Sequence, residues 1–348
     1  MNPNILDHSK YKLTVHVENI DTGQLYDVAP ETESVTWQTA RAISQPGKLE
    51  VILKRSVTSE AVNLPPGSRI RWGINGTDYF FGLIEEIELA KNGEGRVVYA
   101  LRAVDHLALL KSVENMYRPQ GTLACGFFTD IMTRFANRGL RGIVREPSAQ
   151  GLDYYYFGGY TLYAMLKDTM GDAHIAEAPN RQYIIRDNLG TLEWRELSAL
   201  RTPYVLGDAS FTDSYTYGTA INNATYNVIK FVRNNDEIGM QDYWTKFDSD
   251  SIRRWWHRQL VVDAGRHKTD AEISNAIDLH LTAVNRPTRS LKLACIGING
   301  VQAGDGVRIR ADRGSIDHDM WIESATHVYT MDSHKMDLEL YFVWRGEN

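Results

Sequence analysis

The sequence contains only two cysteines in 348 residues, Cys125 and Cys295. They are far apart and match no zinc-ligand spacing, so we predict neither a disulfide framework nor a zinc site, but two buried thiols in a reducing compartment. No run of about 18 apolar residues occurs, which predicts that no helix spans a membrane. Residues 1–8 lack the basic and apolar regions of a signal peptide.

Positive charge is also scarce. Lysine and arginine total 38 residues against 44 aspartates and glutamates, and the formal net charge is −6. This balance argues against a general nucleic-acid binder and against a protein that binds membranes through a polybasic surface. A hydrophobic content of 43% and a charged content of 24% are typical of a folded protein, and the length allows several domains.

The short motifs that mark common catalytic sites are absent as well. The sequence contains no Gly-x-Ser-x-Gly, His-Glu-x-x-His or phosphate-binding loop. Adjacent Glu85 and Glu86 would point to opposite faces of a strand, so we interpret them as one inward structural acid and one solvated acid. Glu193, Glu196 and Asp187 lie near a predicted hairpin and suggest no catalytic pair. We therefore predict no catalytic residue, no metal and no cofactor.

Histidines are the remaining possible metal ligands. His327 and His334 flank a turn that contains Asp332, and two imidazoles with a carboxylate can bind a metal ion. No third ligand has motif spacing, so a structural role is favoured. His318 lies between two aspartates, and we predict that it occupies a solvated loop tip.

Two aromatic clusters are candidates for a binding surface. The first contains Tyr154, Tyr155 and Tyr156, and the second contains Trp255 and Trp256. Such rings can stack on bases or sugars. Aromatic residues at this density more often form a core or a protein interface, and we favour that interpretation.

Hydrophobic periodicity divides the chain into four parts. Alternating strand patterns predict one β-barrel in residues 1–110 and a second formed by 204–240 together with 288–348. Helical patterns and a hairpin predict an α+β insert in 111–203, and a second small insert, helical or α+β, is predicted in 241–287. The predicted class is therefore α+β, mainly β.

Helix caps support the predicted inserts. Thr122 and Thr161 are predicted N-caps of two helices in the first insert, and Gly171 is the predicted end of the second of these helices. Thr269 and Glu272 have the spacing of a capping box, so they predict the helix of the second insert.

The two ends of the chain resemble each other. Each has a turn marked by a glycine, Gly67 or Gly304, then a strand, then an aromatic-rich strand that contains Gly82 or Trp321, and then a closing strand. The offset of roughly 237 residues is far longer than the period of a solenoid repeat. We therefore predict two tube-like antiparallel β-barrels that arose by internal duplication, with two small α/β inserts.

Several short stretches are similar, in the same order along nearly the whole chain, to those of a known family. They are residues 35–37, 47–50, 64–67, 81–84, 104–107, 161–163, 303–307, 321–327 and 333–338. On these residues the chain resembles the baseplate hub proteins of contractile phage tails and phage-tail-like bacteriocins, in particular the hub of PBSX-like defective prophages.

The resemblance implies a structural hub without enzymatic activity. In that family three chains form a homotrimeric ring, whose six barrels match the hexameric tail tube while the spike binds at the other end. The implied partners are further copies of the chain, the tail tube protein, the spike protein, other baseplate proteins, and a tape-measure protein or DNA in the lumen. An acidic wall would suit DNA passage, because it makes no phosphate contacts. The implied location is the baseplate of a virion or tail-like particle that assembles in the bacterial cytoplasm, without contact with a membrane.

Two alternatives stay open. A tail-associated cell-wall hydrolase would be favoured if a cleft gathered carboxylates with perturbed pKa values. A glycan-binding tail module would use the aromatic cluster around Tyr154. Fold alone does not decide between these functions.

Overall fold

The computed structural model describes residues 12–54, 64–91, 97–177, 181–208, 210, 212–222, 225–235, 239–264 and 269–341. The described chain is mainly β with several helices, which confirms the predicted class. Residues 1–8, where no signal peptide was predicted, lie outside these ranges. None of the described helices is long and apolar enough to cross a membrane.

The elements follow one another in three stretches of the chain. The first contains β1 (Leu13–Glu18), β2 (Leu25–Asp27), β3 (Thr32–Ala40), β4 (Lys48–Lys54), β5 (Arg69–Ile74), β6 (Thr77–Lys91) and β7 (Val97–Val104). The second contains β8 (Val113–Arg118), β9 (Thr122–Leu123), α1 (Ala124–Arg134), β10 (Gly142–Val144), β11 (Gly151–Leu152), β12 (Tyr155–Thr161), α2 (Leu162–Glu177), β13 (Tyr183–Asn188) and β14 (Thr191–Glu196). The third contains β15 (Arg201–Gly207), β16 (Thr212–Ala220), β17 (Val228–Asn235), β18 (Met240–Phe247), α3 (Ser249–Trp255), β19 (Gln259–Asp263), α4 (Asp270–Val284), β20 (Thr288–Ile296), β21 (Gly306–Ala311), β22 (Ile316–Thr330) and β23 (His334–Tyr341).

One 13-stranded sheet contains two groups of strands with a common order. The first module is β1 to β7, arranged as β2-β1-β5-β6-β7-β4-β3. The second module is β15, β16 and β20 to β23, arranged as β15-β21-β22-β23-β20-β16. If β2 is left out, each module has six strands. The strands of the two modules that correspond in chain order also occupy corresponding positions in the sheet. Pairing of β3 with β22 joins the modules.

Two tube-like antiparallel β-barrels were predicted, but the described strands form no closed barrel. They form one open sheet whose main path ends at β2 and at β16, and β21 and β15 branch from it at β22. The physical reason is that β3, which would close the first module, uses its outer edge to pair with β22 of the second. In addition, β15 pairs with β21 in parallel, whereas its counterpart β1 pairs with β5 antiparallel.

Each module encloses its own core. Strands β1 and β3 to β7 contribute to the first, where Trp72 and Ile84 are fully buried. Strands β20 to β23 contribute most of the second, where Leu291 and Ile309 are fully buried. Burying a large apolar side chain contributes about 1.5–3 kcal/mol, so each module is stabilised by its own apolar contacts.

The two inserts also have their own cores. In the first, α1 and α2 pack on the β13–β14 hairpin around Phe128 and Trp194. In the second, α4 covers a separate sheet, β18-β17-β19, through Phe231 and Ile277. Residues 228–235, which the strand pattern assigned to the second barrel, form β17 in this separate sheet, because α4 buries their apolar face. The division into four domains stays a prediction.

The position of the second insert distinguishes the modules. It occupies the connection between β16 and β20, residues 221–287. The corresponding connection in the first module, between β3 and β4, is only residues 41–47. The same place in the two modules therefore carries either a short loop or a folded insert.

Helix boundaries follow local hydrogen bonding. The capping box of Thr269 and Glu272 begins α4 as predicted. Thr161 accepts a hydrogen bond from the amide of Ala164 at the start of α2, at 3.3 Å. However, α2 continues past Gly171 to Glu177, and this glycine does not have the left-handed backbone that would end a helix. Thr122 does not cap α1, since it pairs within the β9–β11 ladder and the N-cap is the next residue.

Candidate functional site

The junction between the modules is a strand pairing with buried rings. The second half of β22 pairs antiparallel with β3, from Ser324 opposite Ala40 to Thr330 opposite Ser34. At its centre His327 lies opposite Trp37, and the two rings stack with centroids 5.2 Å apart. The junction therefore combines a backbone ladder with side chains that exclude water.

The two candidate metal-ligand histidines belong to this junction. The Nδ1 atom of His327 lies 2.9 Å from Nε2 of His334, and its Nε2 lies 2.7 Å from the carbonyl oxygen of Val301. A neutral His327 that donates to Val301 and accepts from His334 satisfies both contacts. Burial lowers the pKa of His327 to about 4, so it is neutral at physiological pH. Among the described residues no group of three His, Cys, Asp or Glu side chains could hold a metal ion.

His318 is not at a loop tip. It lies within β22, opposite Ile309 of β21. The prediction was wrong because the flanking aspartates suggested a loop, whereas Asp317 forms an ion pair with Arg308 across the ladder, at 2.7 Å.

The glycine turns that suggested the internal similarity have the same geometry. The Gly67 amide donates to the carbonyl of Ile84, and the Gly304 amide donates to the carbonyl of Ile322, both at 2.8 Å. Both glycines have a left-handed backbone, with φ of +93° and +89°. At Gly304 a side chain would also strike Ile184, with a Cβ 2.6 Å from its Cδ1.

Close contacts also determine the residue type at Gly82 and the position of Trp321, two further residues of the similar chain ends. A Cβ on Gly82 would lie 2.2 Å from the carbonyl oxygen of Val104, so the neighbouring strand leaves no room for a side chain. The buried indole of Trp321 donates to the carbonyl oxygen of Leu197 at 3.2 Å. Trp321 thereby connects the second module to the end of the first insert.

The modules share bulges as well as strand order. The β6–β7 ladder shifts register between Ile84 and Glu86, and the β22–β23 ladder shifts at the equivalent place, between Ile322 and Ser324. The β3–β4 and β16–β20 ladders also shift at equivalent places, after Thr32 and Thr212. A bulge fixes where a strand bends, so the two modules bend at the same positions.

Strands β3 and β16 are also similar in sequence. Their residues are TESVTWQTA and TDSYTYGTA, identical at five of nine positions in the structural alignment set by their bulges. This similarity was not predicted, because the resemblance between the two ends of the chain was drawn from the later strands of each module. An alignment of these two nine-residue segments would have found it.

Residues that are buried at the junction correspond to residues of the other module that are exposed. His327 and Val35 have no exposed surface, whereas the equivalent Leu89 and Tyr215 are 59% and 37% exposed. Within the described part of the chain, β16 is the last strand of its sheet and residues 85–91 of β6 pair only with β7. We call residues 85–91 of β6 and residues 214–220 of β16 the two open edges.

The acidic residues support structure. Glu85 and Glu86 are both exposed, so the prediction of one inward acid is wrong. The bulge at this position breaks the alternation of faces. Glu86 forms an ion pair with Arg102 at 3.0 Å. Burial would raise the pKa of Glu193, but hydrogen bonds from Asn188 and Arg145 outweigh it and lower that pKa.

One acidic pair has raised pKa values. Burial, and then the charge of Asp105, raise the pKa of Asp187 to about 8, and burial raises that of Asp105 to about 7. Both accept backbone hydrogen bonds: Asp105 from the amide of Gly47 at 2.8 Å, and Asp187 from that of Gly190 at 3.1 Å. Asp105 was not predicted as a candidate residue, although the position of Asp105 just before a short helical turn could have indicated a capping role. Glu196, by contrast, forms an ion pair with Arg181 at 2.7 Å.

The first aromatic cluster is divided by the alternation of β12. Tyr155 packs inward on Phe157, with centroids 4.5 Å apart. Tyr154 and Tyr156 are exposed and lie beside Tyr117 of β8, which forms a small surface of three tyrosines. The sequence suggested a single cluster, but the structure separates one tyrosine from the other two.

The second aromatic cluster lies at the end of α3. Trp255 is the last residue of that helix, and Trp256 follows it with a positive φ of 63° and 85% of its surface exposed. The backbone carbonyl of Trp256 accepts a hydrogen bond from Asn227 at 2.7 Å, so the local backbone is fixed although the ring is exposed.

Comparison with known proteins places the chain in one family and one fold. The family described as YQBQ-like matches residues 35–341. No curated protein matches the sequence. Among solved structures, the tail protein of Neisseria meningitidis MC58 is similar with a TM-score of 0.67 at 15% identity, covering 95% of this chain and 96% of that one. The prophage MuSo2 43 kDa tail protein of Shewanella oneidensis has a TM-score of 0.68 at 12% identity, covering 94% and 98%.

A third structure extends the similarity to secretion systems. The c3393 protein of Escherichia coli is a type VI secretion component that resembles T4 bacteriophage tail proteins gp27 and gp5. It aligns with a TM-score of 0.52 at 8% identity, over 97% of this chain and 77% of that one. At these identities the structures share a fold.

Proposed function

The chain belongs to the YQBQ-like family, and from that premise we propose that it is a structural protein of a phage tail or tail-like particle. We further propose that it is the baseplate hub, a homotrimeric adaptor between a hexameric tail tube and a trimeric spike. The fold shared with phage tail proteins supports the first proposal.

One observation carries the adaptor role. The two modules have the same strand order, the same glycine turns and the same bulges. We infer that they arose by duplication, so one chain can occupy two equivalent places in a ring. Three copies then present six similar modules to a sixfold tube and three identical chains to a threefold spike.

The proposed partners follow from this position. They are two further copies of the chain, the tail tube protein, the spike protein and other baseplate proteins, with a tape-measure protein or DNA inside the ring. The protein would act without catalysis, because the acidic residues described above hold backbone turns and ion pairs. It would reside in the baseplate of a virion or of a bacteriocin-like particle.

Copy number in the assembled particle tests the proposal. We expect electron cryomicroscopy of the purified particle to find three copies in one ring, between the tube and the spike. The two modules of each chain should alternate around that ring. Six copies in the spike-proximal ring, or a position outside the baseplate, would refute the adaptor role.

The exposed tyrosines favour a second candidate function, a glycan-binding tail module. Tyr117, Tyr154 and Tyr156 form an exposed aromatic surface of the kind on which sugar rings stack. Binding to cell-wall glycans that disappears in Tyr156→Ala would support it. These rings equally suit a contact with another baseplate protein, so they do not by themselves favour glycan binding. We favour the hub function, because the two equivalent modules support it.

A further inference from the structure

We propose that the two open edges pair with each other between two copies of this chain. The edge of β16 in one copy would pair antiparallel with residues 85–91 of β6 in the next copy. This contact would repeat between chains the junction that β3 and β22 form within one chain. The inference rests on the proposed ring and identifies the surfaces that form it.

The first step is the equivalence of β3 and β16. Each is the outermost strand of its module's common order, beside β4 or β20, and each has its bulge at the same place. Five of their nine residues are identical, including a run in which Thr36 and Thr216 are flanked by apolar or aromatic side chains. The strand that β22 accepts within the chain therefore has a close counterpart, β16, which pairs with β20 on one edge and with no described strand on the other.

The second step is the equivalence of β6 and β22. Both are 15-residue strands whose first part pairs with the preceding strand and whose second part extends beyond it. Pairing aligns Leu83 with Trp321 and places Leu89 at the position of His327. The second part of β22 accepts β3 on its outer edge, while the second part of β6 presents the same edge unpaired within the described chain.

The known junction fixes the register of the proposed one. Val328 lies opposite Thr36 within the chain, so Ala90 would lie opposite Thr216 of the second copy. In the same register Leu89 would face Tyr217 of the second copy, at the place where His327 stacks on Trp37. A side chain would again cover an aromatic ring at the centre of the ladder, here the apolar Leu89 in place of the imidazole of His327.

The chemistry of the two edges is compatible with this pairing. The edge of β6 carries Glu85, Glu86, Glu88 and Lys91, whereas residues 214–220 of β16 carry no charge, so no like charges meet. Pairing would also satisfy the backbone groups of two exposed strand edges, which otherwise favour aggregation. Because the two edges differ and lie on different modules, the contact is heterologous and can continue from copy to copy until a ring closes.

One contact of the internal junction has no counterpart between copies. Arg41 forms an ion pair with Glu323 across the internal junction, at 2.6 Å. The equivalent residues are Ile221 and Glu85, which cannot form one. We therefore expect the contact between copies to be weaker than the internal junction, and the isolated chain to dissociate on dilution.

Disulfide trapping tests both the edges and the register. We would combine Ala90→Cys with Thr216→Cys in the full chain, since both positions are exposed. A matched control combines Ala90→Cys with Tyr215→Cys, whose side chain leaves the other face of the strand. Oxidation of the first variant in assembled particles should give covalent trimers, at least tenfold more than the control. The native cysteines Cys125 and Cys295 are buried and are present in both variants, so they affect the two crosslinking yields equally.

A charge substitution gives an independent measurement. Leu89→Arg would place a charge at the centre of the new ladder, and we expect self-association of the isolated chain to weaken about tenfold or more. Leu25→Arg is the matched control, because Leu25 is equally exposed but lies on β2, at the far end of the sheet. Equal effects of the two substitutions would contradict the proposal.

The outcomes distinguish this inference from the proposed function. Three copies per particle without crosslinking of the Ala90 and Thr216 variant, or with equal crosslinking of the control, would overturn the edge pairing and leave the hub function intact. Crosslinking in a particle with six copies in the ring would support the edge pairing and refute the threefold adaptor.

Discussion

Protonation of the buried His327 should weaken the junction between the modules. Burial lowers the pKa of His327 to about 4, whereas the unfolded chain has an ordinary histidine pKa of 6.5. Between these values the unfolded state binds a proton that the folded state excludes. Stability contributed by this group is therefore complete above pH 6.5 and is lost as the pH falls towards 4.

The size of the effect follows from these two pKa values. Linkage makes the free energy of unfolding about 2 kcal/mol lower at pH 5 than at pH 7.5 through this group alone. His327→Phe keeps a ring against Trp37 but removes the titrating group. It also leaves the Val301 carbonyl without its hydrogen bond, so the variant should be less stable at pH 7.5 by about 1–3 kcal/mol.

Urea unfolding followed by far-ultraviolet circular dichroism at the two pH values measures both effects. The wild-type protein should lose about 2 kcal/mol more than His327→Phe between pH 7.5 and pH 5. His318→Gln, a histidine exchange outside the junction, should behave like the wild type. The reasoning is refuted if His327→Phe shows the same pH dependence as the wild-type protein.

Three further predictions concern the first insert, the second module and activity. Asp187 has a pKa raised to about 8, by burial and then by the charge of Asp105, so the folded state holds a proton that the unfolded state releases; stability should fall as the pH rises from about 4 to 8. Asp187→Asn should flatten that fall in the same urea assay, and an unchanged slope would contradict it. Trp321→Ala removes a fully packed indole and its hydrogen bond to Leu197 and should cost about 3–5 kcal/mol in thermal unfolding, whereas Trp256→Ala, at an exposed ring, should cost little. Purified protein should release no fragments from cell-wall material in zymography, and lysis that disappears in Glu193→Gln or Glu196→Gln would overturn the non-enzymatic proposal.

Local signals in the sequence were informative where a single residue determines a backbone conformation. The capping box at Thr269 marks the start of α4, because its two hydrogen bonds need only neighbours in sequence. The glycines at positions 67 and 304 mark equivalent turns, because each requires a left-handed backbone. The family resemblance drawn from short ordered stretches is also confirmed.

Features that depend on contacts between distant parts of the sequence were harder to predict. Alternation placed Glu85 and Glu86 on opposite faces, but a bulge in the pairing with β7 exposes both. Two barrels were predicted from the alternating patterns of short strands, yet the edge of β3 pairs with β22, about 290 residues later in the chain. Asp105 and Asp187 approach each other only because the first insert folds against the first module.

The unequal connections of the two modules have a consequence for recognition at the rim of the proposed assembly. A ring of near-identical modules would offer a ligand six interchangeable docking positions. Here every second position carries the folded segment 221–287 in place of the short loop 41–47. The rim is therefore threefold even where the sheets repeat six times, and a partner that binds the short-loop positions from outside can bind at most three times per ring.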